Sequence, residues 1–157
     1  MSVEERFWAK VDVRGPDECW LWTAYLSFNG YGQFWFNGTN TTAHRVGYQL
    51  VHGPLEPHME VDHRVSCPKH CMNPAHLRAT TTKQNQENQA GSHRDSQSGI
   101  RGVSWEPDRG VWRVAAHHDG VSHFGGRFPR LEDAERAAIA LRLELFTHND
   151  LDRRTDA

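Results

Sequence analysis

Between two short β-like segments, Cys67-x3-Cys71-x4-His76 places two thiols and an imidazole in a loop too small to bury a core of its own. Cys19 is the remaining thiol in a chain of three cysteines, and it completes a tetrahedral set of three sulfurs and one nitrogen. Zinc bound in this way contributes about 10 to 16 kcal/mol in small peptides, so it would replace the missing apolar core. His70 sits in the same loop beside Cys71 and competes as a ligand with His76 and Cys19. Three cysteines cannot all pair with one another, and no base and orienting partner marks one of them as a nucleophile.

The 157 residues, 37% of them hydrophobic, suit one globular domain or two small ones. Mean hydropathy is -0.76, and apolar runs such as Trp20-Leu21-Trp22 stop after a few residues, which excludes a transmembrane helix. The opening residues are charged and lack an apolar signal segment, so a cytoplasmic location is expected. A net charge of -2 argues against a phosphate-rich partner on average. The average conceals a segregation, because Lys and Arg outnumber Asp and Glu over residues 58–130 and are outnumbered on both sides.

Along the chain, 19–22 and 29–36 read as short strands, with Asn37-Gly38 as a tight hairpin turn. Val46, Leu50 and Val51, with Tyr48 between them, predict a helix over 43–52 that Gly53-Pro54 stops. A strand over 59–63, a loop over 64–75 and a strand over 77–80 lead to a second helix, whose start is signalled by Thr81 and Gln84 at capping-box spacing. The polar stretch 91–98 has linker composition and divides the chain into domains 1–90 and 99–150, with 151–157 as a tail. In the second domain, 100–105, 111–117 and 121–124 predict a three-stranded meander, and Ala134, Ala138, Leu141 and Leu145 stripe one face of a helix over 131–146. The expected class is α+β.

Asp62-His63 closes one strand and Asn85 lies in the first turns of the next helix, so a ββα unit would make them face each other. That set suits phosphodiester hydrolysis. An imidazole can take a proton from water, while a carboxylate and an amide oxygen hold a hard divalent ion against the scissile phosphate. Ala43-His-Arg, Gly53-Pro, Val61-Asp-His63, Cys71-x-Asn73-Pro-x-His76-Leu and Asn85 together resemble the HNH, or His-Me finger, homing endonucleases over residues 19 to 88. The resemblance implies a ββα-metal nuclease preceded by β-hairpins that add groove contacts. It further implies His63 as general base, Asp62 and Asn85 around Mg2+ or another divalent cation, and structural Zn2+ on Cys19, Cys67, Cys71 and His76. Asn73 would tie the loop backbone together.

Ser98-Gly-Ile-Arg-Gly-Val-Ser-Trp105, Gly110-Val-Trp-Arg113, Gly125-Gly-Arg-Phe128 and the Ala-rich helix resemble the APETALA2 (AP2/ERF) DNA-binding domain over residues 98 to 146. In that fold a three-stranded antiparallel sheet lies in the major groove with one helix packed behind it. Arg101, Ser104 and Trp105 on the first strand, Arg113, Ala115 and His117 on the second, and Ser122 and Phe124 on the third are then expected to face DNA, with Arg101 and Arg113 foremost. These readings combine into a DNA endonuclease of the homing type, borne by a phage or mobile element and acting in a host cytoplasm. Double-stranded DNA is its partner, no membrane is involved, and the reading admits a homodimer. Its rivals are a non-cleaving, zinc-stabilised DNA-binding regulator and a zinc-stabilised module that binds protein.

Overall fold

The computed structural model describes residues 1–64, 66–89 and 91–155. The chain is α+β and divides into two compact units, Met1–Asn85 and Gln86–Ala157. The domain boundary expected at 90/91 lies a few residues past this division.

The first unit opens with a helix that the sequence reading did not include, α1 (Val3–Trp8). Ser2 and Glu5 cap it reciprocally, each side chain meeting the other residue's backbone N–H. Its Phe7 is fully buried against β1 (Val11–Asp12), β2 (Leu21–Trp22) and β3 (Gln33–Phe36), in a core of Phe7, Val11, Trp22, Phe34, Ala43, Val46 and Met72. A β-carbon on Gly47 would lie 3.0 Å from the Phe7 ring, so glycine lets the next helix approach. Asn37 and Gly38, with φ of 49° and 81°, make the turn from β3 to β4 (Thr39–Thr42), as Asn-Gly turns do in two-residue hairpins.

Helix α2 (Ala43–His52) runs to Gly53, whose φ of 91° ends it. Val46 is buried as its periodicity predicts, whereas Val51 is left half exposed. Strands β5 (Met59–His63) and β6 (Leu77–Thr81) form an antiparallel ladder from Met59 opposite Thr81 to His63 opposite Leu77. Helix α3 (Thr82–Glu87) follows, and Thr81 and Gln84 exchange both bonds of the predicted capping box.

In the second unit β7 (Val103–Glu106), β8 (Val111–His118) and β9 (Val121–Phe128) form the expected meander, with α4 (Leu131–Leu145) on one face. Val103, Val114, Ala134 and Ala138 are its core. The β8–β9 register shifts between Val114 and Ala115, and a β-carbon at Gly125 would fall 2.6 Å from Val114, so the bulge needs glycine there.

Register corrects two of the residues expected to face DNA. Trp105 lies opposite Trp112 with ring centroids 4.8 Å apart, on the helix side with Val103 and Val114, while Ser104 lies opposite Arg113 on the open side. Neighbouring residues on one strand cannot share a face. Arg101 precedes the strand altogether. Its guanidinium donates to the carbonyls of Gln86, Glu87 and Gln89 at 3.0, 2.7 and 3.0 Å and lies over the Phe146 ring. Turning it toward a nucleic acid would break all three of these hydrogen bonds.

The segment expected as a tail contains α5 (Asp150–Thr155), and Asp152 is buried there. The Asp152 carboxylate accepts Arg142 Nε at 2.6 Å, Arg142 Nη2 at 2.9 Å and Asn149 Nδ2 at 2.5 Å, while Arg142 Nη1 donates to the Arg101 carbonyl. Burial alone would raise the Asp152 carboxyl, but its hydrogen bonds from Arg142 and Asn149 prevail and hold it below the usual range. Replacing Asp152 with Ala leaves a buried, uncompensated guanidinium, which costs about 3 kcal/mol. Urea unfolding of Asp152→Ala should therefore show a lower midpoint for the second unit; a midpoint equal to the wild type would deny the pair its structural role.

Candidate metal centre and active site

Cys19 precedes β2, Cys67 and Cys71 stand in the loop after β5, and His76 ends a 3-10 turn (Pro74–His76) before β6. An antiparallel bridge between Leu21 and Cys71 draws the two stretches together. Asn73, with its side-chain nitrogen donating to the carbonyls of Pro16 and Glu18 at 2.8 and 2.7 Å, fixes the same junction. Three Sγ atoms and the His76 Nδ1 lie within 4.8 Å of one another. Individual separations are 3.5 Å for Cys19–Cys67, and 3.8, 3.3 and 3.7 Å from Cys19, Cys67 and Cys71 to His76. A tetrahedral zinc with Zn–S near 2.3 Å has ligand–ligand edges of about 3.8 Å, so the four donors fit the ion. His70 is outside this group.

The thiols also carry an electrostatic mark. Burial first, then the neighbouring thiols, push Cys67 up to about 12, and burial raises Cys71 as well. Such a crowd resists ionising by itself, and a bound dication reverses that preference.

His63 ends β5. Its Nε2 is 2.9 Å from the Cys71 carbonyl, which can only accept, so Nε2 carries the proton and Nδ1 keeps the lone pair. Its ring packs 4.7 Å from that of His44, in the first turn of α2, and 6.4 Å from that of Tyr31. His44 donates from Nε2 to the Val61 carbonyl at 3.2 Å, leaving a buried Nδ1 without a partner, and burial drives it down to about 3. His44 is therefore a neutral neighbour. Burial also lowers His63, partly opposed by the Cys71 hydrogen bond and the Asp62 charge.

Alternation along β5 sends Glu60 and Asp62 to one side and Val61 and His63 to the other. Asp62 lies opposite Arg78, whose Nη2 is 3.3 Å from its carboxylate. Asn85 meets Glu60 rather than His63. Its Nδ2 donates to Glu60 Oε2 at 2.6 Å, and the Thr82 hydroxyl donates to the other oxygen of the same carboxylate at 3.1 Å. The expected direct facing of Asn85 and His63 thus gives way to an arrangement on two sides of one strand end. Glu60 and His44 were not singled out as site residues in the sequence. Glu60 had a signal there, since it stands two positions before Asp62; His44 had none that revealed its stacking.

On the open side of the second unit's sheet, Ser104, Arg113 and Arg127 form a row across three strands, with Ala115–Phe124 and His117–Ser122 as the next cross-strand pairs. Arg113 and Arg127 both lie over the exposed Phe124 ring, 5.8 and 5.0 Å from its centroid. Glu106 accepts Arg127 at 2.6 and 3.2 Å and approaches Arg113 at 3.6 Å and Arg109 at 3.9 Å. The Arg127 hydrogen bonds hold the Glu106 carboxyl below its usual range. One carboxylate thus orders three guanidinium groups.

Among the described residues, no helix is long and apolar enough to cross a membrane. No solved structure matches the chain. A curated relative, "Protein 7.7" of Escherichia phage T7, is 37% identical over 71 residues, which is 45% of this chain and 54% of the relative. The chain thus spans about half the length of the curated relative it matches. Residues 41–87, which hold α2, β5, β6, α3 and three of the four metal-cluster donors, match the family model of the HNH endonucleases.

Proposed function

We propose that the chain is a DNA endonuclease that hydrolyses phosphodiester bonds with His63 as general base. The observation that carries this reading is the fixed tautomer of His63. Nε2–H donates to the Cys71 carbonyl and burial favours the neutral ring, so Nδ1 is ready to accept a proton from an attacking water. Asp62 and Asn85, joined by Glu60 on the same side of β5, offer the oxygen donors that a hard divalent cation such as Mg2+ takes. When bound, such a cation supplies charge neutralisation at the scissile phosphate and at the departing 3′ oxygen. His63 would approach that phosphate from the opposite side of the strand end. Cys19, Cys67, Cys71 and His76 would hold Zn2+ in a structural role, since four protein donors leave no open coordination position.

The open sheet face of the second unit fits the AP2-like reading as a DNA contact surface. Its bearers are Arg113, Arg127, Ser104, His117 and Ser122, with Arg127 added and Arg101 and Trp105 removed from the set expected from sequence. The proposed substrate is double-stranded DNA cut at sites of homing type in a host cell's cytoplasm, and a phage relative accords with action in a host cell.

Incubation with supercoiled plasmid and Mg2+ tests the proposal. Cleavage by His63→Ala should fall at least 100-fold, in keeping with loss of a general base, while zinc content and DNA retention stay near wild type. Undiminished cutting would remove His63 from the mechanism. The base works only when neutral, and burial lowers its pKa, so the acid limb of cleavage should be centred below pH 6.5. An acid limb centred at or above 6.5 would contradict the buried, neutral ring. Cys71→Ser should lose bound zinc and, by circular dichroism, the fold of the first unit. A zinc-free variant with an unchanged spectrum and melting curve would rule out the structural role.

A further inference from the structure

A second candidate site lies on the first unit, in a recess between α1 and the hairpins before α2. Its volume is about 460 Å3, within the roughly 300 to 1,000 Å3 of small-molecule clefts. Tyr25, Phe34 and Trp35 supply aromatic surface, Gln33 an amide, and Arg6 and Lys10 positive charge, while no carboxylate is among the residues that line it. The backbone holds these groups in place. Gln33 N donates to the Tyr25 carbonyl at 3.2 Å, and Trp22 Nε1 donates to the same oxygen. The Arg6 guanidinium lies over the buried Phe34 ring, 5.5 Å from its centroid.

The aromatic rings are unusually bare. Tyr25 is 73% exposed and Trp35 60%. Phe34 turns inward from the same strand, so Trp35 projects outward by alternation, and Asn40 opposite it is too small to cover an indole. Single exposed apolar residues are ordinary, but a cluster rimmed by cations marks a binding surface. Lys10 and Arg6 have no ion pair among the described residues.

A ligand matching this recess has a flat π face and an adjacent anion, which together describe a nucleotide. In a duplex the base faces are stacked on their neighbours and only edges are presented, so a base must leave the stack to use these rings. We propose that the recess binds one unstacked nucleotide of a single-stranded DNA segment, its base against Tyr25 and Trp35 and its phosphate at Arg6 and Lys10. This rests on the endonuclease reading only for the choice of DNA as the polymer. It would give the first unit a hold on melted or nicked DNA.

The test uses the full chain in magnesium-free buffer, zinc retained, with a single-stranded oligothymidine octamer carrying one 2-aminopurine. Binding should quench the 2-aminopurine by stacking. Trp35→Ala should weaken binding about tenfold or more and abolish the quenching, Trp35→Phe should keep most of both, and Lys10→Ala should lower the log–log salt slope by about 0.7. Trp35 is mostly exposed, so these substitutions spare the core. Equal quenching by Trp35→Ala and wild type, or competition by the matching duplex as strong as by the single strand, would overturn the proposal. Quenching in a chain that cuts no DNA would sink the nuclease reading alone. Normal cutting without quenching would sink only the nucleotide site.

Discussion

Three thiols and an imidazole converge within 4.8 Å of one another, and that convergence ties the stretch before β2 to the loop after β5 and so organises the first unit. Cys71 shows how. Its sulfur belongs to the metal cluster, its strand-like backbone pairs with Leu21, and its carbonyl fixes the proton on His63. Met72 next to it is fully buried in the apolar core, and Asn73 beyond it binds the stretch leading to Cys19. Three consecutive residues therefore serve the metal cluster, the core and the loop closure. A shift of Cys71 among these four donors would reach the His63 imidazole through one carbonyl.

Much of this architecture could be read in advance where a local rule has a single outcome. The glycine after α2, the Asn-Gly turn and the Thr81–Gln84 capping box each fix a backbone conformation by themselves, and each has the predicted place. The metal donors were legible because their chemistry is rare and their spacing short. Helix α1 carries the same capping-box spacing in Ser2 and Glu5, but its six residues are too few for a helical period to show in the sequence. Arg101 and Trp105 were misplaced for a different reason. Alternation sorts residues only within a strand and only relative to a known phase, and the turn at Gly102 interrupts it. The stacking of His44 on His63 depends on how α2 packs against β5, which no local pattern encodes.

The second unit shows the same limit in its charges. A net charge of -2 suggests little affinity for phosphate, yet the open sheet face brings Arg113 and Arg127 together over Phe124. Glu106 lies among them and lowers the local charge, but its two bonds to Arg127 also hold that side chain in one orientation. Ordering a long guanidinium before a partner arrives reduces the entropy lost on binding. In contrast, Arg142 and Asp152 are sealed inside, where their pairing satisfies the fold and leaves nothing for a ligand. Exposure therefore decides which arginines can act, and sequence alone gives all of them the same letter.

Two imidazoles with ring centroids 4.7 Å apart and planes tilted by 46° pose a further question, because a protonated pair would repel. Burial settles it for His44, whose pKa near 3 leaves it neutral at any working pH and whose Nε2 proton is committed to Val61. His44 is thus no partner for proton exchange. In the proposed hydrolysis a proton gained by His63 would leave again toward solvent or the departing group. While it is held, the Asp62 carboxylate and the Cys71 carbonyl favour the charged ring, against burial and the positive potential of His70. For the proposed base, burial that favours the neutral ring and local acceptors that tolerate its brief protonation would both be needed. A ring fully exposed would be protonated too early in acid, and one buried without those acceptors would be too weak a base to take the proton at all.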